Sequence, residues 1–202
     1  MTQEAVHPTR GFLWENTPNA ISLARLLATP ILLAAVIRGH AEMFKWLLLA
    51  CMLSDIIDGL IARLFHLRSQ FGAKLDSAAD MLVAFISIAA LFVFQSAFIA
   101  AHFWELSIVV LLYAAEILAA LLRYGKISSF HTIVNRIAAY SQGIFVMSLF
   151  LWGYRGWLFH SMIAVTIMAS LEEFLLLGVL PEWRSDVRGL YWVLADRRII
   201  SK

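Results

Sequence analysis

Charged residues are scarce in this sequence. Asp, Glu, Lys and Arg together make up 15% of the 202 residues, and hydrophobic residues make up 61%. Ordinary soluble domains have about 25% charged and about 45–50% apolar residues. The composition therefore indicates a membrane protein and leaves no room for a second, soluble domain.

Cysteine and net charge are also limited. Cys51 is the only cysteine, so the chain can form no internal disulfide and offers no thiolate cluster to zinc. Such a free cysteine is usually a small buried hydrophobe. The formal net charge is only +2, which is too small to suggest nucleic acid as a partner.

Long apolar runs account for nearly the whole chain. About 20 apolar residues are needed to cross a hydrocarbon core of about 30 Å as a helix. Hydropathy predicts six such spans, at about 19–37, 43–64, 76–98, 103–122, 134–153 and 157–180. We therefore expect an all-α integral membrane bundle of six transmembrane helices, forming a single membrane domain over residues 1–202.

The segments at the two ends differ from the spans. Residues 1–18 contain no long apolar core and no cleavage pattern, so they are not expected to be a signal peptide. The mixed segment FLWEN within them suggests a short interfacial helix. Residues 181–202 place Trp183, Tyr191 and Trp192 beside arginines, which predicts a second surface helix.

Basic residues are distributed unevenly between the two sides of the predicted bundle. With a cytoplasmic N-terminus, twelve lie in inner segments and three in outer loops, as the positive-inside tendency requires. Both termini are therefore expected in the cytoplasm. The inner residues are Arg10, Arg63, Arg68, Lys74, Arg123, Lys126, Arg136, Arg184, Arg188, Arg197, Arg198 and Lys202, and the outer ones are Arg38, Lys45 and Arg155.

Four aspartates fall where two predicted helices meet the cytoplasmic face. Asp55 and Asp58 are three residues apart, and Asp76 and Asp80 are four apart, so each pair projects from one face of its helix. Carboxylates at membrane depth are costly and usually line a functional, water-filled cavity. Because converging carboxylates repel one another, a hard divalent cation is the simplest compensation. No His or Cys stands at ligand spacing, which favours Mg²⁺ or Mn²⁺ over zinc.

Small and basic residues accompany these aspartates. Gly59 and Ala62 leave one side of the first helix without bulk, which suits either a substrate or close packing of another helix. Arg63 lies near the membrane surface, where it can face a pyrophosphate or simply extend to the interface. Gly72 is expected to break the connection before the next helix.

The whole stretch resembles the signature of the CDP-alcohol phosphatidyltransferase family. The resemblance implies that a phosphatidyl group passes from CDP-diacylglycerol to a small alcohol, with release of CMP. It also implies that the four aspartates share one or two metal ions, that Asp80 is the base, and that the protein is a homodimer among membrane lipids. The matching pattern is Asp55-x2-Asp58-Gly59-x2-Ala62-Arg63-x8-Gly72-x3-Asp76-x3-Asp80.

An upstream segment, PNAISLAR at residues 18–25 followed by Pro30, resembles the phosphatidylglycerophosphate and cardiolipin synthase branch of that family. Arg25 is the one basic residue within an apolar span, so it should face protein or cavity. We assign it to CDP-diacylglycerol binding together with Asn19, which alternatively caps the helix. Gly59, Ala62, Arg63 and Gly72 complete that predicted site.

The acceptor is less well determined. Ser77 and Met81 follow the last two aspartates, where that branch commonly has proline and lysine, and Asp-Ser resembles the inositol and serine branches. Glycerol 3-phosphate is favoured, with inositol, inositol phosphate, serine and phosphatidylglycerol as alternatives. Arg123, Lys126 and Arg136 are predicted to bind the acceptor's phosphate, or else only to enforce topology and meet anionic lipids.

A transporter is the rival class of protein, because transporters also collect carboxylates within membranes. Transporters often show repeated halves with interrupted helices, whereas this chain shows one acidic cluster. Glu116, Glu172 and Glu173 also lie in predicted spans, and the sequence assigns them no role. The enzyme is expected in a bacterial inner membrane, with its active site on the cytoplasmic side.

Overall fold

The computed structural model describes residues 17–65, 70–125, 132–181 and 187–195, and most of these residues are helical. No strand occurs within these ranges, which confirms the all-α prediction. Residues 1–16, on which the N-terminal interfacial prediction falls, lie outside them. The helices are α1 (Thr17–Ile37), α2 (Ala41–Leu64), α3 (Gln70–Phe94), α4 (Ser96–Ala101), α5 (Phe103–Tyr124), α6 (Ile133–Trp152), α7 (Gly156–Val179) and α8 (Leu190–Ala195).

Five of these helices are long and apolar enough to cross a membrane: α1, α3, α5, α6 and α7. The helix α2 has 24 residues but is not among the five, because Asp55 and Asp58, together with Lys45 or Arg63, interrupt every long apolar stretch in it. The chain is thus a helical integral membrane protein. One of the six predicted spans, 43–64, coincides with α2, and its crossing of the membrane stays a prediction.

The third predicted span, 76–98, has the wrong boundaries. The helix α3 includes Gln70 and ends at Phe94, and after Gln95 the separate helix α4 begins at Ser96. The polar pair Gln95-Ser96 interrupts the apolar run there, and serine favours helix starts over helix interiors. The prediction that Gly72 lies in the connection before this helix is wrong, because Gly72 is buried within α3. A helical glycine costs only about 1 kcal/mol relative to alanine.

The helices group into two compact units, residues 1–96 and 97–202. In the first unit, α1 packs along both α2 and α3, which touch each other much less. Leu32 of α1 and Phe44 and Leu48 of α2 are fully or almost fully buried. The rings of Phe44 and Phe94 lie 5.7 Å apart. A side chain on the buried face of α1 can therefore reach both neighbouring helices.

The helix α1 continues through Pro30, although proline has no N–H to donate to the carbonyl oxygen four residues earlier. That acceptor is the Leu26 oxygen, and the hydroxyl of Thr29 donates to it over 2.7 Å. A side-chain donor thus replaces the missing backbone donor, as membrane helices require where no water is present.

In the second unit, α7 packs against α5, α6 and α8. A hydrophobic core cluster of this unit includes Ala120, Leu176, Leu180 and Val193. Gly125 ends α5 in the left-handed conformation, with φ of 66°. The side chain of Thr132 starts α6 by accepting a hydrogen bond from the Asn135 backbone N–H over 3.1 Å. Such a cap stabilises a helix by about 1 kcal/mol.

The helix α8 falls in the C-terminal segment for which a surface helix was predicted. Tyr191 and Trp192 are exposed, whereas Val193 is buried in the core. Trp183 lies outside the described residues. The position of this segment at a membrane surface stays a prediction. Cys51 is free and buried, as expected.

Candidate active site

The four aspartates of the sequence pattern converge in the first unit. Asp55 and Asp58 lie in the last three turns of α2, and Asp76 and Asp80 lie in the first three turns of α3. Because α1 packs against both helices, a residue of α1 can contact both pairs.

Arg25 of α1 makes these contacts, and its side chain is only 1% exposed. One guanidinium nitrogen, Nη1, donates to Asp55 Oδ1 at 3.1 Å, Asp76 Oδ1 at 3.0 Å and Asp80 Oδ1 at 2.6 Å. The other, Nη2, pairs with Asp58 Oδ2. Arginine remains charged at any accessible pH, so one buried cation bridges all four carboxylates.

The exposure of the four carboxylates divides them into two kinds. The side chains of Asp55, Asp76 and Asp80 are 46%, 40% and 49% exposed, whereas Asp58 is 5% exposed. Asp58 faces the protein and Arg25. The other three carboxylates are open to a ligand.

Ser22 is a site residue that the sequence pattern did not single out. It lies one turn before Arg25 on α1, is buried, and its hydroxyl donates to Asp58 Oδ2 at 3.2 Å and to Asp76 Oδ1 at 3.4 Å. The signal was its spacing, because residues three apart share a helix face. Ser54 also contributes, since its Oγ accepts from Arg25 Nε at 3.3 Å.

The three open carboxylates suit a hard divalent cation. Asp55, Asp76 and Asp80 each offer an oxygen, and these oxygens lie within 4.8 Å of one another. Oxygen donors of this kind are those that Mg²⁺ and Mn²⁺ prefer. Asp58, predicted as a fourth ligand, does not belong to this group. It differs from the other three in its burial, since all four carboxylates contact Arg25.

The predicted CDP-diacylglycerol site is described in part. Gly59 lies on α2, and a Cβ built there meets nothing within 4 Å, so its surroundings are open. Gly72 is buried in the first turns of α3. Arg25 contacts the aspartates rather than standing free for a diphosphate. The side chains of Asn19, Ala62 and Arg63 lie outside the described part of the structure.

The predicted acceptor site belongs to the second unit. Arg123 Nη2 donates to the Leu180 carbonyl oxygen at 3.1 Å, and the Tyr124 hydroxyl donates to the same oxygen at 2.8 Å. These bonds join the end of α5 to the end of α7, which gives Arg123 a structural role that sequence reasoning missed. Arg136 is exposed on α6. Lys126 lies outside the described residues.

Glu116, Glu172 and Glu173, the acids to which the sequence assigned no role, belong to the second unit. Glu172 Oε1 accepts from the Leu190 backbone N–H at 3.0 Å, at the start of α8. Glu173 Oε2 accepts from the Asn135 side-chain amide at 2.7 Å. Glu116 is 5% exposed, and its Oε1 has no hydrogen-bond partner among the described residues.

Fold and site together define an integral membrane protein with a carboxylate cluster at the ends of its helices. Comparison with known proteins gives the family. The model of the CDP-alcohol phosphatidyltransferase family matches residues 15–170, more than half of the chain. The chain belongs to the CDP-alcohol phosphatidyltransferase family.

Individual relatives are similar over shorter stretches. Two are named CDP-diacylglycerol–glycerol-3-phosphate 3-phosphatidyltransferase: that of Aquifex aeolicus is 34% identical over 36% of this chain and 41% of its own, and that of Cereibacter sphaeroides is 33% identical over 35% and 34%. A CMP-forming cardiolipin synthase of Streptomyces coelicolor is 39% identical over 32% and 33%. The chain thus spans at most about two fifths of the length of these relatives. No solved structure matches it.

Proposed function

We propose that this protein transfers the phosphatidyl group of CDP-diacylglycerol to a small alcohol and releases CMP. The observation that carries the proposal is the convergence of Asp55, Asp76 and Asp80, whose oxygens lie within 4.8 Å of one another. Family membership supports the reaction class, since these residues belong to the pattern that resembles the family's signature.

In this proposal Asp55, Asp76 and Asp80 hold Mg²⁺ or Mn²⁺, which neutralises charge on the diphosphate of the substrate. Asp58 contributes through its pair with Arg25, which keeps α1 and α2 together at the site. Asp80 also accepts the proton of the acceptor hydroxyl as its oxygen bonds to phosphorus and the bond to CMP breaks. Its half-exposed carboxylate is open to such a group, and general bases of this kind contribute about 10²–10⁴-fold to rates.

The acceptor that we propose is glycerol 3-phosphate. Relatives from Aquifex aeolicus, Cereibacter sphaeroides and Rickettsia bellii carry that acceptor in their names. Arg123, Lys126 and Arg136 supply the cations for its phosphate in this proposal. Phosphatidylglycerol is the second candidate, because the Streptomyces coelicolor relative is named a cardiolipin synthase. Inositol, inositol phosphate and serine follow, on the strength of Ser77.

The proposed setting is a bacterial inner membrane, with both termini and the active site in the cytoplasm and with the protein as a homodimer. The excess of Lys and Arg in the segments assigned to the inner side supports the orientation. A cytoplasmic site also gives access to CDP-diacylglycerol and to a water-soluble acceptor.

The test is CMP release by the purified full chain in CDP-diacylglycerol vesicles with Mg²⁺ or Mn²⁺, with each acceptor supplied separately. We expect release with glycerol 3-phosphate, and release at least about a hundredfold slower from Asp80→Asn. The matched control is Glu42→Gln, which removes an exposed carboxylate that pairs with Lys45. Release by Asp80→Asn at the wild-type rate would contradict the proposal. Solute uptake by the vesicles without CMP release would favour the transporter.

A further inference from the structure

We infer that Glu116 of α5 is a proton-binding site in the second unit. Its side chain is a neutral carboxylic acid at neutral pH, and it shares its proton with the hydroxyl of Ser170 on α7. Neither the family's sequence pattern nor the proposed function gives Glu116 a role, so the inference does not rest on the proposed function.

The first observation is burial. Glu116 is 5% exposed and Ser170 is 2% exposed. The helices that carry them, α5 and α7, pack against each other, and both are long and apolar enough to span a membrane. Bulk water therefore cannot solvate the Glu116 side chain. An ionised carboxylate in such a place is very costly unless a cation pairs with it.

The second observation is the charge around Glu116. No salt bridge among the described residues involves Glu116. The titratable groups that act on it are Tyr113, one turn earlier on α5, and Glu173 on α7. Neither supplies a positive charge, and a negative charge on Glu173 repels a second one on Glu116. Its surroundings thus favour the neutral form of Glu116.

The third observation is a pair of polar atoms without partners. Glu116 Oε1 and Ser170 Oγ are buried, and each lacks a hydrogen bond within the part of the chain that the structure describes. The Ser170 hydroxyl nevertheless lies beside the Glu116 carboxyl group. Buried polar atoms are nearly always hydrogen-bonded. A proton on Oε1 makes that atom a donor, with the Ser170 oxygen as its acceptor, so one proton removes the charge and pairs both atoms.

Two other ways to accommodate Glu116 fit the same observations less well. An ionised carboxylate that accepted a hydrogen bond from Ser170 would keep its full charge beside Glu173. A bound metal cation would balance that charge, but hard cations take about six oxygen ligands. The described residues offer only two unpartnered oxygens at this position, whereas a proton needs a single oxygen to bind it.

The experiment is infrared difference spectroscopy of the purified full chain in lipid vesicles at neutral pH, wild type minus Glu116→Gln. A neutral carboxylic acid has a C=O stretching band separate from the bands of ionised carboxylates, and that band shifts in D2O. We expect one such band in the difference spectrum, and a shift of this band in Ser170→Ala. The matched control Glu42→Gln removes an exposed carboxylate that pairs with Lys45, and it should remove no such band.

Thermal unfolding provides the second measurement. Because Gln replaces a neutral acid with a neutral group of similar size, the unfolding temperature of Glu116→Gln should stay within about 3 °C of wild type. An ionised Glu116 predicts a different result, since the variant would then lose an uncompensated buried charge and unfold at a clearly higher temperature. That result would overturn the inference.

Three further outcomes would also overturn it. The first is a difference spectrum without the acid band, and the second is a band that Glu173→Gln removes and Glu116→Gln retains. The third is a rise in the unfolding temperature with Na⁺ or Mg²⁺ that is lost in Glu116→Gln, which would indicate a metal cation. If Glu116→Gln does not fold, Ser170→Ala decides, and an acid band unshifted from wild type would count against the inference. None of these measurements depends on CMP release, so failure of the proposed function would leave them interpretable.

Discussion

The two units both contain acids within apolar helices, but they compensate them differently. In the first unit, four aspartates share the single guanidinium of Arg25, so four negative charges minus one positive leave three to be balanced. In the second unit, Glu172 and Glu173 accept hydrogen bonds from a backbone N–H and a neutral amide. The first arrangement leaves an excess of carboxylates over cations, whereas the second joins helices. An acid in a membrane span therefore acquires its role from its partner.

The aspartates of the first unit and the glutamates of the second unit should differ most in their effect on catalysis. Asp80→Asn is expected to reduce the rate of CMP release at least about a hundredfold, because it removes both a metal ligand and the base. Glu116→Gln, at a buried acid of the second unit, should retain activity within about tenfold of wild type. Rates of CMP release at saturating Mn²⁺ test both variants. Equal losses would show that the two groups of acids are not distinct in function.

Loss of the shared cation should be the next largest effect. Arg25→Gln leaves four carboxylates without their buried partner, and breaking a buried ion pair from one side costs about 3–5 kcal/mol. Thermal unfolding without metal should therefore occur at a lower temperature than in wild type. Added Mn²⁺ should raise the unfolding temperature of the variant more than that of wild type. An equal metal-induced shift in both proteins would contradict the charge balance described for the first unit.

Removal of a neutral partner in the second unit should have a smaller effect, confined to stability. Asn135→Ala deprives buried Glu173 of a 2.7 Å hydrogen bond, which costs about 1–3 kcal/mol. Tyr140→Phe, an exposed change on the same helix, should alter stability by no more than about 0.5 kcal/mol. Thermal unfolding measures both, and Mn²⁺ affinity should remain that of wild type in each. Altered Mn²⁺ affinity in Asn135→Ala would show that this hydrogen bond supports the metal site.

The smallest effect should come from Gly59, beside the acids of the first unit. Because a Cβ there meets no atom within 4 Å, Gly59→Ala should leave stability unchanged or raise it by up to about 1 kcal/mol. The KM for CDP-diacylglycerol should nevertheless rise about threefold if the lipid approaches this backbone. Parallel measurements of unfolding and CMP release separate the two outcomes. An unaltered KM would exclude close approach of substrate at Gly59.

Several features of the fold were predictable from local sequence. Apolar runs of about 20 residues marked five helices that are long enough to cross a membrane, and helical spacing placed each pair of aspartates on one face. The break at Gln95 was missed, because a single polar pair barely lowers the hydropathy of a long window. The roles of Arg123 and Glu172 were missed too, because each side chain binds a backbone group that is distant from it in the chain.

The amino-acid sequence by itself determined the helical membrane class, the paired aspartates and the family to which they belong. These properties follow from composition and from spacing along single helices. The tertiary structure decided that Arg25 lies among the aspartates and that Asp58 faces inward while the other three stay open. Those arrangements depend on how α1 packs against α2 and α3, and contacts between residues about 30 to 55 positions apart leave no trace in local periodicity.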